Sequence, residues 1–408
     1  MNAADPPWPH RRLDIPAVRA AGHRRYPFRQ YVLKVHSRCN LACRYCYVYR
    51  MADGGWRRQP AVMSPRIVAA AVGRIAEHVR AHDIPELKVV LHGGEPLLAG
   101  PGFVESLAGE LTRALPSWAR AGLSMQTNGI RLDVVMLDVL LRHGVRVGVS
   151  VDGDRAASRD RVYPSGRASY PVVTRALALL RTDRYRAIYG GVLCTIPIAS
   201  DPVRTYTSLL AHEPPAIDFL LPHGTWSAPP SARPADDSTP YADWLLQVFY
   251  AWTASAAPRP RVRLFDAIIS LLLGGPGSTE TVGLEPADTI VIDTDGAIRQ
   301  VDTLAAAYDG AADTGLHVLR DSLDAALDHP GIVARQLGTA ALCAQCLACP
   351  VRDVCGGGYY PHRFRNGDGF LNPSVYCPDL LRLITVIREY VAAEVTRLAT
   401  TTSVRCPR

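Results

Sequence analysis

Between residues 31 and 224 the chain alternates six strand-like runs with helix-like runs, and that alternation leaves few folds open. The strand runs are "YVLKVHS" (31–37), "LKVVLHGGE" (87–95), "LSMQTNG" (123–129), "VRVGVSVDG" (145–153), "AIYGGVLCTIP" (187–197) and "IDFLLPHG" (217–224). Helices are expected between them, over 64–83, 103–115, 133–144, 170–182 and 202–213. In the first, Ser64 takes the N-cap, Pro65 the first turn, and Ile67, Ala71, Ile75 and Val79 recur near helical spacing. Such alternation builds a parallel sheet with right-handed crossovers. The strand runs show little apolar/polar alternation, as in a sheet buried on both faces. "HGGE", "QTNG" and "SVDG" fall at strand C-terminal ends, the rim where parallel α/β folds bind ligands. A full or partial barrel is the expected architecture.

Beyond residue 224 the pattern changes. A Pro/Ser/Ala-rich loop (225–240) leads to helices at 241–255 and 262–273, and a turn-rich break covers 273–286. A β-hairpin with its turn at Asp295-Gly296 is expected over 288–304, and a last helix near 379–399. No apolar run reaches eighteen residues and no apolar signal segment opens the chain, so a cytoplasmic protein without a membrane partner is expected. The net charge is +7 over 408 residues without a concentrated Lys/Arg run, which argues against a nucleic-acid partner.

Eight of the ten cysteines form two groups, 39–46 and 343–377. Short spacing in a cytosolic chain favours metal or iron–sulfur ligation over disulfides. Cys39, Cys43 and Cys46 are spaced C-x3-C-x2-C on one short loop. Three thiolates on a [4Fe–4S] cube leave one iron open to a small molecule. A zinc site completed by His36 is the alternative. In the second group, zinc also stays open for the four thiols Cys346, Cys349, Cys355 and Cys377. Cys194 reads as a core residue and Cys406 as part of a tail.

"CNLACRYCY" resembles the cluster motif of radical S-adenosylmethionine (radical SAM) enzymes. The resemblance implies a partial (β/α)6 TIM-like barrel and a 5′-deoxyadenosyl radical made from S-adenosylmethionine on the cluster. It also implies an external flavodoxin- or ferredoxin-type electron donor. It assigns cofactor contacts to Tyr45, to Gly93, Gly94 and Glu95 of "HGGEP", to Gln126 and Asn128 of "QTNG", and to Ser150 and Asp152 of "SVDG". The glycines would let backbone approach the methionine moiety, Glu95 would accept from its ammonium, and Ser150 and Asp152 would hold the ribose.

"CAQCLACPVRDVCGGGYYPHRF" with Cys377 resembles the auxiliary-cluster part of a SPASM extension, a small α+β iron–sulfur domain. Cys346, Cys349, Cys355 and Cys377 would ligate one auxiliary [4Fe–4S] cluster, with Cys343 as a further candidate. The sequence departs from that family at Tyr359 and in the Cys-free stretch "IVIDTDGAIRQVDTL", where cysteines for another cluster would stand. The implied organisation is an N-terminal extension (1–27), barrel (28–240), helical linker (241–286), SPASM-like domain (287–390) and tail (391–408). "YVLKVHSRCNLACRYCYVY", the "WR" at 56–57, "CGGGYYPHRF" and "GFLNPSVYC" resemble the FxsB-type maturases, which form three-residue cyclophanes in ribosomal peptides. That resemblance implies a precursor peptide as substrate and a C–C crosslink to an aromatic side chain. Thioether formation and formylglycine-type oxidation are the alternatives within enzymes; a zinc-stabilised binding module is the alternative outside them. Asp293, Asp295 and Asp302 are candidates for the base that removes a proton; His362 and Arg363 read first as solvated loop residues, with facing the cluster or the peptide as the alternative.

Overall fold

The computed structural model describes residues 6–403, apart from 234, 235, 237, 256 and 257. Ten strands form one sheet in the order β10-β9-β8-β1-β2-β3-β4-β5-β6-β7. Six of them, β1 (Gln30–His36), β2 (Glu86–Gly93), β3 (Arg120–Thr127), β4 (Arg146–Ser150), β5 (Tyr189–Thr195) and β6 (Ala216–Leu220), are neighbours in chain order and all parallel. This is the partial barrel that the strand–helix alternation implies.

Local chemistry fixes where the crossover helices begin. Ser64 Oγ accepts from the Ile67 N–H at 3.3 Å at the start of Pro65–Ala81. Asp133 and Asp201 cap Val134–Arg142 and Pro202–Leu210 in the same way. Ile67, Ala71, Ile75 and Val79 are buried against the sheet, as their spacing requires. His78 ends that stripe. Its Nε2 accepts from the Phe28 N–H at 3.0 Å, so its Nδ1 carries the proton that Asp324 accepts.

The strands stop short of the expected ends. β3 closes at Thr127, β4 at Ser150 and β6 at Leu220, because rim backbone turns to other partners. The Asn128 N–H goes to Glu95 and the Asp152 N–H to Ser158 Oγ.

The expected hairpin forms from β8 (Thr289–Ile292) and β9 (Ala297–Arg299), with Gly296 at φ +95° in its turn. β8 also pairs in parallel with β1, Gln30 to Thr289 through Leu33 to Ile292, so the barrel sheet runs on into the C-terminal region. β10 (Asp313–His317), which the sequence reading leaves out, closes that edge, and β7 (Arg261–Val262) the other. A second core lies beside the sheet. Trp8, from the N-terminal segment, packs there with Val301, Leu304, Tyr360, Phe364 and Phe370. No helix of the described residues is long and apolar enough to cross a membrane, and Cys406 lies outside those residues.

Candidate functional site

The three-cysteine loop leaves the C-terminal end of β1 and is tied down by backbone. The Ala42 N–H reaches Val162 O at 2.7 Å and the Arg44 N–H reaches Asp160 O at 3.0 Å. Cys39 Sγ accepts from the Leu41 N–H at 3.4 Å and from Asn128 Nδ2 at 3.5 Å, contacts suited to a thiolate. Burial pushes the Cys39 thiol up to about 12 and raises Cys43 and Cys46 as well. Three ionised thiolates in such a place need a positive partner, which a metal cluster supplies. His36 does not complete a zinc site through Nδ1, which accepts from the Arg38 N–H at 3.1 Å. Among the described residues, only His78, His82 and Asp324 bring three potential ligand atoms within 4.8 Å of one another. Zn–S bonds of roughly 2.3 Å would draw thiolates to about 3.8 Å apart. No three thiols of either group lie within 4.8 Å of one another.

The rim residues lock to one another. Glu95 is 1% exposed. Its Oε1 accepts from Thr127 Oγ1 at 2.7 Å and from the Leu97 N–H at 3.0 Å, and its Oε2 from the Asn128 N–H at 2.8 Å. The side chain expected to meet an ammonium therefore pins the end of β3 to the end of β2. A Cβ on Gly93 would overlap His36 O, and one on Gly94 would overlap Tyr49 Oη and Arg38 O. Close approach of neighbouring protein atoms demands glycine at both.

Gln126 Nε2 donates to Ser150 Oγ at 2.8 Å. Asp152 is buried, accepting from the Tyr45 hydroxyl and from the Thr195 N–H at 3.1 Å. It supports Tyr45 at the rim. Arg161, which the sequence reading missed, donates to Tyr45 Oη at 2.8 Å. Burial opposes its charge, but Tyr45 and Asp152 outweigh burial and hold it firmly protonated beside Cys43.

The three candidate bases separate cleanly. Asp295 accepts from the Ala297 N–H at 2.9 Å and serves the turn. Asp293 faces Arg299 at 3.3 Å. Asp302 alone joins the barrel interior. It accepts from Tyr47 Oη at 2.8 Å and lies 3.7 Å from Lys34 Nζ and 3.5 Å from His92 Nδ1. Lys34 and His92 are cross-strand partners, on the face opposite Leu33 and Leu91, which pack under the helices. Tyr47 directly follows Cys46, so this carboxylate sits against the cysteine loop. Burial would raise the Asp302 carboxyl, but Lys34 and His92, then Tyr47, hold it below its ordinary value.

A cavity of about 840 Å³ opens at the N-terminal ends of the strands, past Gln30, Lys88 and Gly122. It reaches Tyr359, whose hydroxyl is 2.5 Å from Thr303 Oγ1, one residue from Asp302.

The second thiol group assembles around short helices. Cys346 lies in Ala344–Leu347, Cys355 ends Arg352–Cys355, and Cys377 opens Cys377–Ser403. Gly356, Gly357 and Gly358 all have positive φ, and a Cβ on Gly356 would overlap Gly283 O. Burial, then Cys343, pushes Cys346 up to about 12; burial, then Cys355, Cys349 and Cys343, pushes Cys377 up to about 11. Cys343 thus stands among the other four. His362 at 2% and Arg363 at 8% exposed are both buried, which corrects the expectation of solvated loop residues. Cys194 is in the core, fully buried in β5.

Comparison with known proteins bears on the fold that carries this site. The profile of the radical SAM superfamily matches residues 33–193. The chain is 24% identical over 276 residues to a cysteine-type anaerobic sulfatase-maturating enzyme of Clostridium perfringens, covering 65% of this chain and 72% of the relative. It is 28% identical over 155 residues to a serine-type enzyme of Klebsiella aerogenes, covering 38% of this chain and 37% of that one. The solved structure described as native anSMEcpe with bound AdoMet and Cp18Cys peptide superposes with a TM-score of 0.76 at 19% identity, covering 91% of this chain and all of that one. Streptococcus suis SuiB bound to S-adenosylmethionine superposes at 0.56 and 15% identity, over 88% of this chain and 77% of its own. At these identities the two structures speak for the fold.

Proposed function

The chain is a radical SAM enzyme that uses S-adenosylmethionine and [4Fe–4S] clusters, and from that premise we propose that it is a peptide maturase forming a C–C crosslink to an aromatic side chain. Cys39, Cys43 and Cys46 would hold the cluster with the open iron. Tyr45, Gly93, Gly94, Glu95, Gln126, Asn128, Ser150 and Asp152, with Arg161, would shape the cofactor site. Bound there, the two cofactors supply a 5′-deoxyadenosyl radical that removes a hydrogen atom from the peptide.

The chain's own residues do the rest. The cavity past Gln30 and Lys88 admits the peptide from the N-terminal face of the barrel, up to Tyr359. Asp302 takes the proton that must leave when the attacked ring regains aromaticity. Lys34 keeps that carboxylate ionised, and the Tyr47 hydroxyl fixes its orientation. Cys346, Cys349, Cys355 and Cys377, with Cys343 beside them, would hold an auxiliary cluster, which would supply an acceptor for the electron lost with the proton. The observation that carries this reading is the Asp302 carboxylate, bonded to Tyr47 beside Cys46 and 3.7 Å from the Lys34 ammonium.

Formylglycine-type oxidation of a Ser or Cys is the second reading, favoured by the sulfatase-maturating relatives. It uses the same base. Mass spectrometry separates the two after co-expression with a short reading frame found beside the gene. A crosslink removes two hydrogen atoms and consumes no thiol. A carbonyl at a Ser or Cys, with the thiol gone in the Cys case, would establish the second reading instead.

A further inference from the structure

Arg363 carries a charge that the protein leaves unmatched. Its side chain is 8% exposed. Its Nη2 donates to Gly356 O at 2.5 Å and to Gly358 O at 2.8 Å, and its Nε to Gly358 O at 3.2 Å. All three bonds go to neutral carbonyls of the turn that follows Cys355. Other arginines with little exposure have partners: Arg299 has Asp53, Asp293 and Asp313, Arg335 has Glu280, and Arg161 has the Tyr45 hydroxyl, itself bonded to Asp152. Among the described residues no carboxylate lies within 4 Å of the Arg363 guanidinium. A buried unpaired cation is unfavourable unless it faces an anion. The anionic chemistry within its reach is thiolate: its charge is felt at Cys346, Cys355 and Cys343.

The Gly-rich turn explains how the guanidinium comes so close. A Cβ on Gly357 would stand 2.9 Å from Arg363 Cζ. The Gly358 N–H returns to Cys355 O at 2.9 Å, folding the turn over the arginine. The cation is therefore held by the backbone of the turn that follows Cys355, not by a flexible contact.

We propose that Arg363 is the fixed counter-ion of the auxiliary iron–sulfur cluster, setting its reduction potential high enough to receive the electron lost by the substrate. The inference rests on the reading that Cys346, Cys349, Cys355 and Cys377 hold such a cluster. A fixed positive charge beside a cluster favours its reduced form, which carries one more negative charge. The one-electron balance is complete: the substrate radical is oxidised, the cluster is reduced, and the proton goes to Asp302. Arg363 acts through the cluster and is a positioning residue.

The test is a potentiometric titration of the anaerobically reconstituted full-length chain, followed by electron paramagnetic resonance, for wild type, R363Q and R363K. R363Q should titrate at a more negative potential at the auxiliary cluster alone, and R363K should stay near wild type. An unchanged potential in R363Q with the cluster intact overturns the proposal. If R363Q drops from about eight iron atoms per chain to about four while R363K keeps them, the charge is needed to hold the cluster and the proposal stands. Loss in both variants overturns it, because the shape of the guanidinium then matters rather than its charge. A wild type that takes up only one cluster removes the underlying reading itself.

Discussion

Asp302 shows how much a single residue's setting decides. A buried carboxylate tends to protonate, yet Lys34 at 3.7 Å and the Tyr47 hydroxyl at 2.8 Å keep this one available as a base. D302N should lower crosslinked product at least about 100-fold, within the range for general-base catalysis, while 5′-deoxyadenosine still forms; liquid chromatography of both products checks this. K34M removes the largest influence that lowers the carboxyl, so burial should take over and raise it. The acid limb of the pH–rate profile should then move to higher pH, because more of Asp302 is protonated at any given pH. A limb that stays in place would take Lys34 out of the account. From sequence, Asp293, Asp295 and Asp302 were equivalent: three acids in and just after one hairpin. Only the parallel pairing of β8 with β1 carries the segment after the hairpin to the Lys34 side of the barrel. Arg161 offered no sequence signal at all, since its partner Tyr45 lies 116 residues away.

At the scale of elements, the helices were readable because their caps are local. Ser64, Asp133 and Asp201 each bond an N–H three residues on. Rim glycines were readable as necessary but not as to what they approach. His36 and Tyr49, which crowd Gly93 and Gly94, come from β1 and from the helix after Cys46, contacts set by the fold. The N-terminal segment was the least legible element. Trp8 belongs to a core whose other members lie beyond residue 300. W8A should leave a cavity and cost about 3 kcal/mol, in line with buried aromatic-to-alanine changes. Urea unfolding should show a lower midpoint; an unchanged midpoint would mean that the segment merely lies on the surface.

Across the whole molecule, one sheet ties the two thiol groups together: β1 leads to Cys39, and β8, paired to β1, leads toward the auxiliary region. The sequence displayed both thiol groups and the barrel rim, but not the backbone pairing that fixes them in one body. The two groups should be separable by function. C355A should still cleave S-adenosylmethionine yet yield little crosslinked peptide; full crosslinking by that variant would exclude the auxiliary site as electron acceptor. The claim beneath all of this is that Cys39, Cys43 and Cys46 hold a cluster that opens S-adenosylmethionine. Anaerobically reconstituted enzyme, given S-adenosylmethionine and a reductant, should release 5′-deoxyadenosine, and C46A should not. An iron-loaded wild type that releases none would contradict the account.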